Sequence, residues 1–470
     1  MSITEKEISF KDLEEKIFKE VCSLGCAMLK DVLEGMDLEL QNTRDKSEYR
    51  NKGKRKTTIK TVMGEVEFER AVYEACDESG MKKYVYLLDE KLGRNRSGFF
   101  SGLMSEYIVK ASCESSYRNA AENISGMTGQ RISHTAAWNV VQELGQRVGE
   151  IELKQADAAK QNKGKGRIES KVLYEEQDGI WLKLQGKSRK KYGAGKEMKL
   201  AIAYDGVEEI GKGRYKLTNK VACASFEGTA KFVKLKEGVI ADNYAVDEIQ
   251  MRFLNGDGAE WIKNSIKDDD VHFQLDPYHR NKAIITYVHD KEKQKLLFEL
   301  LYSKRIPDLI DCIEAYINCS EEKQEIADLK RLYTYFKNNM EGLIDIHRRG
   351  LNIPPKYNVS HNMGCMESNV FTLVGSRMKN GRACWSIEGG ENLARLRCLK
   401  VTGKLSTVLE QLTSIVLPEK YTEIKETAYS QSKVPKKIGK GYNGFKQSGA
   451  FPATPDYKFL RKFGYDGFEA

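Results

Sequence analysis

Among the ten cysteines of this 470-residue chain, no two stand in Cys-x-x-Cys spacing. That argues against a Cys-based zinc site and against a disulfide framework, and it fits a reducing compartment with mostly buried thiols. No apolar run reaches the length of a bilayer span, and Met1–Glu20 carries charge where a signal peptide would carry an apolar core. The expectation is a soluble, cytoplasmic protein with no membrane partner. Gly-x-Ser-x-Gly elbows and phosphate-binding P-loops are missing, and Gly206–Gly213 makes no dinucleotide fingerprint. Nucleophilic-serine and nucleotide-binding chemistries therefore lack support. Histidine is scarce, with six residues in all, and no internal repeat is present.

What remains suits a globular protein of several domains. With 40% hydrophobic and 31% charged residues, the chain can bury real cores. Lys and Arg outnumber Asp and Glu by 77 to 68, a net charge of +9. That balance suits a polyanionic partner without requiring one.

Along the chain the character changes several times. Residues 1–50 read as helical, with Leu13, Ile17, Val21, Leu24 and Met28 at helical spacing. Residues 51–100 hold a basic run and then an alternating stretch around Met63-Gly64-Glu65 that predicts a β-hairpin. Residues 101–165 read as three helices, with a Gly-containing turn at 126–129 and Ser133 as a cap. Short helix, turn and capped helix make a helix-turn-helix outline; an ordinary helical hairpin fits the same pattern. Gln161–Arg167 is the best domain boundary. Strand-like segments follow at Val172–Leu184, Lys199–Tyr204, Tyr215–Ala224 and Met251–Leu254, with weaker helical character at Ile240–Ile249. This mixed order predicts an α/β core in two parts, 166–285 and 351–415, interrupted by an all-α insertion at 286–350. A basic tail, 416–470, ends the chain.

Four acidic positions carry candidate chemistry. Asp178 lies in a long apolar segment, where Asp178-Gly179 alone would signal a hairpin turn. On a central strand, such a carboxylate needs a partner, and a metal ion is one. Asp257 lies in Asn255-Gly-Asp-Gly, where a strand ends and a helix begins; a capped turn is the plain alternative. Asp276 and His279 have the Asp-x-x-His spacing of a hydrogen-bonded or metal-binding pair, and a supporting role suits them better than catalysis. Glu367 opens a helix, where an acid also suits the macrodipole. Two hard cations need several carboxylates converging on one face, and two strands plus a later helix can supply them.

Taken together, Tyr174-Glu-Glu-Gln-Asp-Gly, Asn255-Gly-Asp-Gly-Ala-Glu-Trp-Ile, Leu275-Asp-Pro-Tyr-His-Arg-Asn-Lys, Cys365-Met-Glu-Ser-Asn-Val and Trp385-Ser-Ile-Glu-Gly-Gly-Glu-Asn resemble the ISLre-type transposases of bacterial insertion sequences. Those are similar in turn to the Mutator-like group. The resemblance implies a ribonuclease H-like mixed sheet with an all-α insertion, preceded by a mainly helical DNA-binding region. It implies a transposase that binds element ends and performs metal-dependent cleavage and strand transfer. Asp178, Asp257 and Glu367 would hold two Mg²⁺ or Mn²⁺ ions, with Asp276 and His279 in support. Glu388 and Glu391 are alternatives for the third acid.

Expected partners are double-stranded DNA, as element end and as target, and further copies of the chain in a homodimer or higher oligomer. Lys52, Lys54, Arg55 and Lys56, and Lys187, Arg189, Lys190 and Lys191, are either phosphate contacts or solvated loops. Ser133, His134, Thr135 and Asn139 would face a major groove, with Gln142 one turn on. The alternative is a DNA-binding protein without chemistry, an inactivated or repurposed transposase; it differs in whether the acids converge.

Overall fold

Ser9 starts the first element: its hydroxyl accepts from the Asp12 amide at 3.2 Å, and the Asp12 carboxylate accepts from the Ser9 amide at 3.3 Å. This reciprocal cap opens the 34-residue helix α1 (Phe10–Thr43). The computed structural model describes residues 9–76, 80–92, 100–265, 271–357 and 363–413. The chain forms two compact units. The first holds α1, the antiparallel strands β1 (Arg50–Lys60), β2 (Glu65–Cys76) and β3 (Lys82–Val85), and α2 (Leu87–Lys91). The hairpin closes at Thr61–Gly64 through backbone bonds of 2.9 and 3.2 Å. Val66 and Phe68, on one face of β2, pack with Leu33, Met36 and Leu88. Buried Asp37 pins α1 to β2 by accepting from the Ala71 amide.

The second unit begins with α3 (Gly102–Glu114), α4 (Tyr117–Thr128) and α5 (His134–Lys160). Next come β4 (Val172–Lys183), α6 (Gly186–Tyr192), β5 (Gly195–Tyr204), β6 (Gly206–Gly211), β7 (Arg214–Thr218), β8 (Val221–Ser225) and α7 (Thr229–Asn243). β9 (Met251–Gly256), α8 (Glu260–Lys263) and β10 (Val271–Leu275) complete the strands. A helical block follows: α9 (Pro277–Tyr287), α10 (Lys291–Tyr302), α11 (Ile306–Cys319) and α12 (Lys323–Asn338). α13 (Met366–Val370) continues through a π-helical turn at Phe371–Gly375 into α14 (Ser376–Met378), and α15 (Ile387–Val401) and α16 (Leu405–Thr413) follow.

The five main strands form a mixed sheet in the order β8-β5-β4-β9-β10. β8, β5 and β4 are antiparallel neighbours; β4, β9 and β10 run parallel. The parallel step needs a crossover, and α7 supplies it. The architecture is thus mixed α/β. The helical block has its own core, including Leu297, Ile313, Leu329, Leu332 and Phe336, joined to the sheet through Leu275. In the π-helical turn, the Arg397 guanidinium donates to the Leu373 and Thr372 carbonyls. It takes up acceptors that the widened turn frees.

Asp178-Gly179 lies within the long strand read there and not at a turn: β4 runs straight through it, opposite Leu200 and Lys199 of β5. Other expectations need correction. Tyr215–Ala224 is two strands, not one. Asn219 takes φ 51°, and Asp205 holds both the Thr218 hydroxyl and the Asn219 amide, so the chain turns there. The helix sought at Ile240–Ile249 is α7, which begins at Thr229 and ends at Asn243. Its Lys236 is buried because Glu175 takes its charge, and a lysine on the packed face blurs the helical pattern.

The helix-turn-helix outline exists as a shape, with Ser116 and Ser133 as caps and Gly129 at φ 66° between the helices. It is not a separate module. α5 runs 27 residues in the same compact unit as the sheet and packs against α7 and α15. At Gly145, a Cβ would fall 2.7 Å from the Asn392 carbonyl oxygen. Gln142, expected near a groove, accepts instead from the Asn392 amide at 3.0 Å. Ser133, His134 and Thr135 are exposed at the start of α5, and Asn139 is half-buried. Trp138, also near the start of α5, is 43% exposed.

Candidate metal centre

The centre grows out of strand register. Glu176 of β4 pairs with Asn255 of β9, and Gly256 of β9 pairs with Leu275 of β10. Continued to the next positions, this register sets Asp178, Asp257 and Asp276 level across three adjacent parallel strands, just past the carboxyl ends of β9 and β10. Ligand sites of α/β sheets favour that edge. Side chains alternate along β4, so Glu176 and Asp178 share one face.

Glu176 is fully buried and acts as a hub. One carboxylate oxygen accepts from the Tyr204 hydroxyl at 2.7 Å and the Cys365 thiol at 2.9 Å. The other accepts from the Asn255 amide and from the Gly364 and Met366 backbone amides at 3.0–3.1 Å. It therefore fastens the turn that delivers Glu367 at the start of α13. Asn255 also donates to Asp276 at 2.8 Å. Asp276 caps α9, accepting from the Tyr278 and His279 amides at 2.9 and 3.1 Å. One frame of hydrogen bonds thus sets both Glu367 and His279.

The frame brings Asp178, His279 and Glu367 together. One ligand atom from each lies within 4.8 Å of the others. His279 Nε2 stands 3.8 Å from Asp178 Oδ2. The Asp178 carboxylate beside it raises the imidazole pKa, against burial. Asp178 and His279 are half-buried and Glu367 is exposed, so the group opens to solvent.

Asp257, expected as a third carboxylate ligand, is not one of the three residues in this tight group. One of its carboxylate oxygens accepts from the Ala259 amide at 2.8 Å. Burial raises its pKa, and Asp178 and Asp276 add to the rise; the Ala259 amide and His279 oppose it. The Tyr335 hydroxyl of α12 donates to the Asp257 carbonyl at 2.8 Å, so the helical block braces this turn. His279, expected in support, lies close enough to Asp178 and Glu367 to offer a ring nitrogen beside their carboxylates. Asp276 does support, through the backbone rather than the imidazole.

Of the alternative acids, Glu391 is buried in α15, where it accepts from the Ser225 hydroxyl and pairs with Arg395 at 3.6 Å. Glu388 lies in the first turn of the same helix.

A family model described as "Uncharacterised protein family (UPF0236)" matches residues 3–411. The chain belongs to the UPF0236 family. A UPF0236 protein of Caldanaerobacter subterraneus subsp. tengcongensis is 26% identical over 411 residues, 86% of this chain and 79% of that protein. Another from the same organism, whose name joins eleven locus designations, is 25% identical over 408 residues, 86% of this chain and 79% of that one. A UPF0236 protein of Streptococcus gallolyticus, named for its place in the vanSb 3′ region, is 23% identical over 413 residues, 85% of this chain and 84% of that protein.

Two acids of this UPF0236 chain escaped the sequence reading. Glu176 was legible in principle, since it stands two positions before Asp178 on a strand. Glu197 was not: only pairing with β5 brings it near. Its carboxylate lies over Gly179, where a Cβ would fall 2.3 Å from Oε1. Burial raises the Glu197 pKa, with Lys199 opposing and Asp257 and Asp178 adding.

The basic positions divide. Lys52 and Lys56 pair with Glu74 and Glu67 of β2 at 3.1 Å each, while the Arg55 guanidinium donates to the Lys54 carbonyl. Lys187, Arg189, Lys190 and Lys191 are exposed on α6. The tail at 416–470 lies outside the described residues. Among the described residues, no helix is long and apolar enough to cross a membrane.

Proposed function

We propose that this chain is a transposase that cleaves and joins DNA with divalent metal ions at Asp178, Glu367 and His279. Asp257 stands beside them as a further acid, on a ribonuclease H-like core. The observation that carries this is the convergence of Asp178, His279 and Glu367 where β9 and β10 end level beside β4. A mixed sheet of three antiparallel strands continued by two parallel ones suits the ribonuclease H-like core. So does the helical block between β10 and α13. A relative named for eleven loci in one organism suits an element that multiplies within a genome.

The donor set fits a metal. Two carboxylates suit Mg²⁺ and Mn²⁺, and the imidazole moves preference toward the transition ion. Divalent ions held there would polarise the scissile phosphate and lower the pKa of the attacking hydroxyl. The chain's own residues do the rest. Glu176 fixes the turn that carries Glu367, and Asp276 fixes the first turn of α9 that carries His279. Asp178 holds the imidazole in orientation. Asp257, its pKa raised by burial, adds negative charge once it ionises.

The test is Mn²⁺-dependent nicking and strand transfer of DNA carrying the element's ends, by the full chain. Asp178→Asn and Glu367→Gln should each abolish both reactions while circular dichroism stays native. Undiminished cleavage by either variant would remove these residues from the reaction. Retained end-specific binding without any cleavage by the unaltered chain would favour the non-catalytic DNA-binding alternative.

A further inference from the structure

β9 ends at Gly256, level with Gln177, but β4 does not stop there. From Gly179 to Lys183 it continues with β5 alone, as a two-stranded ribbon that leaves the sheet directly beside Asp178. One face of this arm is covered. Ile180, Leu182, Leu184 and Met198 are buried, and at the arm's tip the Trp385 amide donates to the Lys183 carbonyl while the Trp385 carbonyl accepts from the Gln185 amide. On the other face, Trp181 is 64% exposed.

An exposed tryptophan on a ribbon usually packs on its cross-strand neighbours. Here the residue opposite is Glu197, whose carboxylate lies over Gly179, and the diagonal neighbours are Gly195 and Lys199, whose ammonium lies over the Trp261 ring. Gly195 has no side chain to lay over the indole. Beyond it, the arm ends in α6, which turns Ser188 inward to accept from the Ile387 amide. Lys187, Arg189, Lys190 and Lys191 face solvent. Tyr192 is 44% exposed, with the Lys191 and Lys196 ammonium groups over its ring at 5.0 and 4.6 Å. From Lys183 to Lys196 the sequence has six cations and no acid.

Resting on the proposed DNA-joining function, we infer that this arm binds the strand flanking the scissile phosphate with its bases unpaired. Trp181 is the stacking platform, and α6 grips the phosphates. An open aromatic face beside an acid-free basic run is what an unpaired strand requires, because every base offers a face to stack on. A paired duplex offers phosphates but no free base face there. Three residues of strand separate Asp178 from Trp181, roughly 10 Å at about 3.3 Å per residue, and alternation turns Trp181 to the face of the arm opposite Asp178. A strand leaving the metal group reaches the platform by passing round the arm's edge, so the inference concerns the bases flanking the cut.

The experiment uses the full chain in EDTA and fluorescence anisotropy with two labelled probes: a blunt duplex, and the same duplex with a short unpaired thymine tail. The tailed probe should bind about tenfold more tightly, the scale of one stacked base. Trp181→Ala should erase that preference and leave blunt binding unchanged, while Trp181→Phe should keep most of it. Replacing Lys187, Arg189, Lys190 and Lys191 together by glutamine should weaken both probes alike. It should also flatten the salt dependence by about 0.7–0.9 log unit per lost phosphate contact. Equal binding of both probes by the unaltered chain, or a preference that survives Trp181→Ala, would overturn the platform. Binding of neither probe would overturn the arm and the DNA-joining function together. A Trp181-dependent preference in a chain that never cleaves with Mn²⁺ would leave the arm's role standing and remove the chemistry.

Discussion

Glu175 and Glu176 are neighbours on β4, equally buried, and they face opposite sides of one sheet. Glu175 meets cations: the Lys236 ammonium at 2.5 Å and the Arg252 guanidinium at 2.6 Å, with Glu237 closing the network. Glu176 meets only neutral donors. On its side, Asp178, Asp257 and Glu367 form no ion pair with Lys or Arg among the described residues. Buried carboxylates are costly unless neutralised. One face has done this within the protein. The other retains negative charge at its open edge, beside His279. A candidate site here is marked less by acids than by acids without cationic partners.

The largest effects are expected at the acids on the open edge. Asp178→Asn or Glu367→Gln should lower Mn²⁺-dependent DNA cleavage by more than the ~10–100-fold typical of outer-shell partners. A gel-based nicking assay checks this. On the opposite face, Glu175→Gln should destabilise the fold by about 3–5 kcal/mol, because it leaves buried Lys236 and Arg252 under-compensated. Urea denaturation reads that loss, and cleavage per folded molecule should persist.

His279 sharpens the comparison through pH. Its pKa in the folded chain is raised by Asp178 above the usual value of about 6.5. A raised histidine pKa means that its stabilising pair with Asp178 is fully present below about pH 6.5. That contribution is lost as pH rises through the folded value. The same proton must leave before the imidazole can bind metal, so Mn²⁺ affinity should climb across that window. NMR titration of His279 should show its pKa falling back toward about 6.5 in Asp178→Asn. An unmoved titration would contradict the pairing.

The smallest effect is expected at Asp257, whose pKa is raised chiefly by burial. Such a carboxyl favours the folded state while protonated and loses that contribution as pH rises through its folded pKa. Asp257→Asn keeps an acceptor for the Ala259 amide and removes the buried charge. At neutral pH its melting midpoint should rise by about 2–4 °C, the scale of 1 kcal/mol for a unit of this size. A calorimetric scan checks the sign.

Much of the sheet was legible because strands announce themselves locally. Val172–Leu184 and Lys199–Tyr204 carry strand patterns that need no partner to be read. The first helix and the hairpin before Val66 were visible for the same reason. What stayed hidden depends on distant residues. Lys236 disguised α7 because its neutralising partner is Glu175, far off in sequence. Asn219 broke a strand through bonds to Asp205. Glu197 joined the carboxylates only through pairing with β5. The different placements of His279 and Asp257 were illegible because Asp-x-x-His and Asn-Gly-Asp-Gly fix a turn and not a side-chain direction. The outline over residues 101–165 misled because periodicity shows that a helix has an apolar face, not what covers it.

The most direct test of the contrast between the two faces is Mn²⁺ binding to the full chain, followed by electron paramagnetic resonance, in Glu176→Gln and Glu175→Gln. Both changes remove one buried carboxylate charge from the same strand. Glu176→Gln should weaken Mn²⁺ binding by about 10–100-fold, because Glu367 loses the anchor of its turn. Glu175→Gln, measured where it remains folded, should bind Mn²⁺ like the unaltered chain. Equal loss in both variants, or none in Glu176→Gln, would contradict the assignment of the metal centre to that face of β4.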